Sequence, residues 1–167
     1  VAVMMASPSD LEDFAVGFAI TEQFISSTHD IEELEIVPHA QGVEARLWLR
    51  QGLSTEFSNR RRSMLGAVGC GLCGIDSLDQ AVRTIPSVCG KGTAFSFAQL
   101  NSATERLRAH QPLHDETRAA HAAGYWSMAG SLSEVREDVG RHNALDKLIG
   151  GLTRKGDSLD RGAIVLT

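Results

Sequence analysis

At 167 residues and 18.0 kDa the chain is long enough for one ordinary domain, or for two small ones sharing an interface. Its 43% hydrophobic and 22% charged residues fit a globular composition and exclude a collagen-like, low-complexity or disordered scaffold. A net charge of -5 disfavours a broad grip on nucleic acid, and no apolar run reaches the roughly 18 residues of a membrane span.

Val1-Ala2-Val3-Met4-Met5 reads as the end of a strand. Ser7-Pro8-Ser9-Asp10 reads as a helix start, with Ser7 as the cap, Pro8 in the first turn and Asp10 at the positive end of the helix dipole. Leu11, Phe14, Ala15, Phe18 and Ala19 keep helical spacing, and Gly17 among them marks a point of close packing. Glu32 to Pro38 and Val43 to Arg50 alternate around Ala40-Gln41-Gly42, which predicts a hairpin with one wet face. Glycines at 66, 69, 71 and 74 make Arg60 to Gly74 a loop. A short helix follows, with Leu78, Ala81, Val82 and Ile85 on one face, and then a second loop from Pro86 to Gly92. Phe97, Leu100, Ala103, Thr104 and Leu107 mark an amphipathic helix, and the alanine-rich run Thr117 to Gly124 reads as a buried one. Tyr125 to Met128 and Ser131 to Glu137 read as two strands around Ala129-Gly130. Ala144, Leu145, Leu148, Ile149 and Leu152 mark a last helix, ended by Gly150-Gly151 or slightly later, and Gly162 to Thr167 reads as a strand.

The alternation from residue 75 onward predicts helices packed on a sheet, an α/β or mixed α+β class. A weak boundary falls near residues 55 to 75. Both terminal strands read as cut off, so further residues are expected at each end, and no secretory signal is expected.

Three cysteines, Cys70, Cys73 and Cys89, are too few and too odd in number for a secreted disulfide framework, which points to a reducing cytosol. Cys70 and Cys73, two residues apart among glycines, suit a redox pair, half of a zinc site or a persulfide relay; a structural role is the plain alternative. Arg60 to Arg62 and a helix starting near Asp76 would both favour thiolate. Zinc needs further ligands, from Cys89 or a histidine. A zinc deaminase needs a His-x-Glu before its cysteine pair, whereas His121 follows the pair and precedes Ala122-Ala123. Cys89 reads as a small buried apolar residue.

A second candidate is Arg136 to Lys147, where a strand-to-helix turn packs polar groups of every kind around Gly140. Arg141, His142 and Asn143 fall at the helix N-terminus, where anions bind readily; a solvated turn with a cap and an ion pair is the bland alternative. His121, among small residues, suits either a ligand site or a core histidine bonded to backbone. His29, His39, His110 and His114 read as solvated, and Trp48 and Trp126 as packed.

Four segments occur in order: Met4-Met5-Ala6-Ser7-Pro8 with Asp10-Leu11-Glu12 and Gly17-Phe18; Cys70-Gly71-Leu72-Cys73-Gly74; Thr117 with His121-Ala122-Ala123; and Glu137-Asp138-Val139-Gly140-Arg141-His142-Asn143-Ala144-Leu145-Asp146-Lys147. Together they resemble the FdhD family of formate dehydrogenase accessory sulfurtransferases. The resemblance covers essentially the whole chain, and the last motif is its most specific part.

The resemblance implies a cytidine deaminase-like three-layer α/β domain over residues 66–167, truncated at its C-terminus, and a smaller N-terminal α+β part over residues 1–65. It implies that Cys70 carries a persulfide received from a cysteine desulfurase, with Cys73 as the second loop cysteine. The sulfur would pass to the molybdenum or tungsten bis-guanine-dinucleotide cofactor of formate dehydrogenase, bound here as a substrate. His121, Gly140, Arg141, His142, Asn143, Asp146 and Lys147 are the residues expected to hold it, and no structural metal is expected. A cytoplasmic protein without nucleic-acid or membrane partners is implied, and a homodimer is allowed. Thr117-Arg118-Ala119-Ala120 departs from the family's usual Thr-Gly-Gly. Family members also continue past the last strand through a Ser-Gly-Arg segment and a part that helps hold the guanine nucleotide. The rival readings are a cofactor-delivering chaperone that handles no sulfur and a zinc-dependent deaminase relative.

Overall fold

The computed structural model describes residues 2–50, 92, 94–157 and 161–167. All three cysteines, the expected loop at 60–74, the helix through Leu78 to Ile85 and the expected boundary lie outside the described residues.

Residues 2–5 form no strand, and the first helix, α1 (Leu11–Thr21), begins later than Ser7-Pro8 implies. Asp10 precedes it in the left-handed conformation at φ 53° and makes no capping bond with its side chain. Ser7 is buried and serves elsewhere, so the expected cap is corrected: its polar groups turn toward the far end of the chain.

A single turn of 3-10 helix, whose Asp30 carboxylate accepts the Ser26 and Ser27 N–H groups, leads into the predicted hairpin. Its strands are β1 (Ile31–His39) and β2 (Gly42–Leu49). The register pairs Leu34 with Leu47, Ile36 with Ala45 and Pro38 with Val43 on one face, and Glu33 with Trp48 and Glu35 with Arg46 on the other. No residue of either strand is fully buried, so the apolar face is only partly covered among the described residues, and Trp48 is exposed rather than packed.

Helix α2 (Phe97–Arg108) opens on a capping box between Ser96 and Gln99 and buries Ala103 and Leu107. Helix α3 (Pro112–Thr117) is short and ends at Arg118, which takes φ 56°. The alanine-rich run then becomes strand β3 (His121–Ser127), not a helix. This strand lies in the middle of a three-stranded antiparallel sheet of order β4-β3-β5, with β4 (Leu132–Asp138) and β5 (Gly162–Leu166) on either side. Alternate residues of β3 pack on opposite layers. Ala122 and Trp126 join Ala103 and Leu107 of α2, while Ala123 and Tyr125 join Ala144, Leu148 and Leu152 of helix α4 (Arg141–Lys155). A strand buried on both faces loses the polar alternation that marks a strand and reads as a continuous apolar run.

Helix α4 runs through Gly150-Gly151 and stops only at Gly156, which takes φ 75°. The internal glycines follow from the crossing with α1. A Cβ on Gly17 would run into the Asp146 carbonyl, and one on Gly150 into the Asp13 carbonyl. The class is thus mixed α/β, with two small antiparallel sheets and four helices among the described residues. No described helix is long and apolar enough to cross a membrane.

Candidate functional site at the strand-to-helix turn

Strand β4 ends at Asp138, Val139 and Gly140 make the turn, and α4 begins at Arg141. His121 lies opposite Asp138 in the sheet register, and its Nδ1 is 3.2 Å from the Thr167 carbonyl beyond the end of β5. One end of the sheet therefore gathers His121, Gly140, Arg141, His142 and Asn143. Arg141 and His142 are exposed there, and no side chain caps α4. Free first-turn N–H groups and an exposed guanidinium and imidazole form an arrangement able to hold an anion.

Beneath this turn lies a charge pair with no exposure at all. Lys147 Nζ is 2.7 Å from Asp138 Oδ2, and both side chains are 0% exposed. The lysine also donates to the Ser7 carbonyl at 3.0 Å and the Glu137 carbonyl at 3.3 Å. The Asp138 carboxylate accepts from Ser7 N and Gly140 N, each at 2.8 Å, and from Asn143 Nδ2 at 3.0 Å. Asn143 reaches on to the Met5 carbonyl at 2.8 Å. The N-terminal segment is thus stitched to the turn from below.

Asp146 points the other way, toward α1. Its Oδ1 accepts from the Thr21 hydroxyl at 2.8 Å. Burial pushes its carboxyl up to about 6 against the pull of that hydrogen bond, and the Glu22 charge adds to the rise. Of the seven residues expected to hold the cofactor, five share the sheet end, Lys147 is sealed beneath it and Asp146 faces α1. Cys70 and Cys73 lie outside the described residues.

Three residues here were given no role in the site by sequence reasoning: Ser7, read as a helix cap, and Glu137 and Asp138, which stood in the candidate segment without one. Glu137 accepts the Leu113 and His114 N–H groups, each at 2.9 Å, and so fixes the start of α3 against β4. His114 is not solvated as expected; it is half-buried, with Nδ1 2.8 Å from the Ala120 carbonyl. All three residues stand in the quoted motifs, but Ser7 carries the local signature of a helix cap, and Asp138 finds its partners only in three dimensions. Among the described residues no three His, Cys, Asp or Glu side chains converge as metal ligands.

Residues 1–167 match the model of the FdhD/NarQ family. The chain is 45% identical over 166 residues to the sulfur carrier protein FdhD of Agrobacterium fabrum, covering 99% of this chain and 61% of that protein. The protein of the same name from Bordetella petrii is 40% identical over 166 residues, covering 99% and 59%. The chain thus spans about three fifths of the length of these curated relatives. A crystal structure from Desulfotalea psychrophila, assigned as a formate dehydrogenase accessory protein, superposes with a TM-score of 0.62. It does so at 24% identity, over 97% of this chain and 56% of that one, a likeness of fold. With a family match from end to end, the chain belongs to the FdhD/NarQ family.

Proposed function

We propose that this chain is the sulfur-carrying part of a protein that serves formate dehydrogenase. The observation that carries this reading is the 45% identity, over 166 residues, to a protein named as a sulfur carrier. In this reading the Cys70 thiolate attacks the outer sulfur of a cysteine desulfurase persulfide. An S–S bond to Cys70 forms, the donor's S–S bond breaks, and the desulfurase cysteine leaves as thiolate, with no net oxidation or reduction. The outer sulfur would then pass to the molybdenum bis-guanine-dinucleotide cofactor in a reduced state, bound as substrate: the S–S bond at Cys70 breaks, Cys70 leaves as thiolate, and the reduced metal supplies the two electrons that turn the sulfur into sulfide, with Cys73 as the second cysteine of the loop. Anionic phosphates fit the sheet end, where Arg141 and His142 are exposed beside Gly140, Asn143 and His121. Lys147 and Asp146 contribute from the interior, through the turn and through α1. The cytidine deaminase-like layering of residues 66–167, the separate part over residues 1–65, the cytoplasmic location and a homodimer belong to the same proposal.

The test is mass spectrometry of the full-length protein after incubation with a cysteine desulfurase and L-cysteine. A reducible gain of one sulfur, about 32 Da, mapped to Cys70, is the expected result. Loss of the gain in Cys73→Ala but not in Cys70→Ala would move the persulfide to Cys73. An unmodified protein beside a desulfurase that turns over would overturn sulfur transfer and leave a cofactor chaperone.

A further inference from the structure

Ser7 is 5% exposed, and each of its polar groups is spent on that turn or on the lysine beneath it. Its N–H donates to Asp138 Oδ2 at 2.8 Å, its carbonyl accepts from Lys147 Nζ at 3.0 Å, and its hydroxyl oxygen accepts from Val139 N at 3.1 Å. Asp138 is equally full: two donors reach Oδ2, from Ser7 and Lys147, and two reach Oδ1, from Gly140 and Asn143. Lys147 has three N–H donors and three acceptors around it, so it has none left for a ligand. A buried ion pair is a poor way to gain stability alone, because an apolar pair of the same volume often does as well. What the ionic network supplies and an apolar patch does not is direction. It fixes the backbone of residues 138–140 and the side chain of Asn143, which together set where Arg141 and His142 stand.

We infer that Ser7, Asp138 and Lys147 are positioning residues that clamp the Asp138–Gly140 turn from beneath, so that Arg141 and His142 are held in place for the phosphates of a nucleotide-bearing substrate. Lys147 in this account is not a ligand. The inference rests on the proposed function, from which the phosphate role of Arg141 and His142 comes.

The experiment uses the full-length protein and two separate readouts: calorimetric binding of guanosine diphosphate, and desulfurase-driven sulfur loading of Cys70 by mass. Ser7→Ala removes the acceptor of the Val139 N–H and little else. It is expected to weaken nucleotide binding about three- to tenfold, well below its unfolding temperature, and to leave loading at the wild-type level. Asp138→Asn is expected to lose about tenfold or more, because it breaks the pair while leaving the ammonium buried. A merely structural role lowers the melting temperature and leaves the affinity of the folded protein unchanged. Wild-type affinity in Ser7→Ala therefore overturns the inference, as does parallel loss of binding and loading. If Asp138→Asn does not fold, Ser7→Ala decides alone. A wild-type protein that neither loads nor binds fails the proposed function, and the inference falls with it. A wild-type protein that does both, matched by Ser7→Ala, fails the inference only.

Discussion

Asp146 is a carboxylate held at the α1–α4 interface, where water is scarce and the Glu22 charge is near. Burial lifts it from 3.8 to about 6, so the folded protein binds its proton more tightly than the unfolded chain does. The sign follows from that order. The group costs nothing below about pH 4, and its ionisation removes stability progressively as the pH rises to about 6, with the full cost present above that value. Asp146→Asn keeps a carbonyl for the Thr21 hydroxyl and has no charge to bury. It is expected to raise stability at pH 7.5 by on the order of 1–3 kcal/mol, and to give almost no gain near pH 4. Urea unfolding at the two pH values checks this, and an equal effect at both would remove burial of the charge as its cause.

Helices α1 and α4 meet backbone to backbone, because Gly17 and Gly150 face each other across the crossing. Alanine at either site improves helix propensity by about 1 kcal/mol, yet its Cβ would occupy a backbone carbonyl that cannot swing aside. Gly17→Ala and Gly150→Ala are each expected to cost about 2–4 kcal/mol net, read as a lower urea midpoint. Gly42→Ala, whose Cβ meets nothing within 4 Å, is the neutral control. The close packing at Gly17 was legible in the sequence, as were α2, from its periodicity, and the β1–β2 hairpin, from its alternation. The second half of strand β3 was also legible, as the strand expected from Tyr125, but its first half, His121 to Gly124, was not, because both faces of the strand are buried and the period-2 signal vanishes. Ser7 was misread because a serine before a proline is a strong local cap signal, while its real partners lie more than 130 residues away. The Glu137–Lys147 motif marked the strand-to-helix turn as a candidate. Spacing along one strand and one helix could not say which of its polar groups face inward, since that depends on α1 and the N-terminal segment packing from the other side.

The molecule closes on itself through charge as well as through glycine. Asp13, 6% exposed on α1, accepts from Arg136 Nε and Nη2 of β4 at 2.9 and 2.8 Å and also from Arg154 of α4. Glu134 extends the cluster to Arg136 and Lys155. Burial pulls the Arg136 guanidinium down, but its hydrogen bonds to Asp13 and Glu134 outweigh that and hold it above its ordinary value. These bonds join residues 123 and 141 positions apart, so they exist only once the two ends of the chain are docked. Asp13→Asn should therefore leave two guanidinium groups short of a counter-charge, one of them with only 14% of its side chain exposed. The expected cost is about 2–4 kcal/mol, read as a fall in the urea midpoint at unchanged slope. Arg154→Ala should cost about 0.5–1 kcal/mol, since 39% of that side chain is already in water. If the two variants cost the same, Asp13 is no keystone, and the docking of α1 on α4 rests on the close glycine crossing alone.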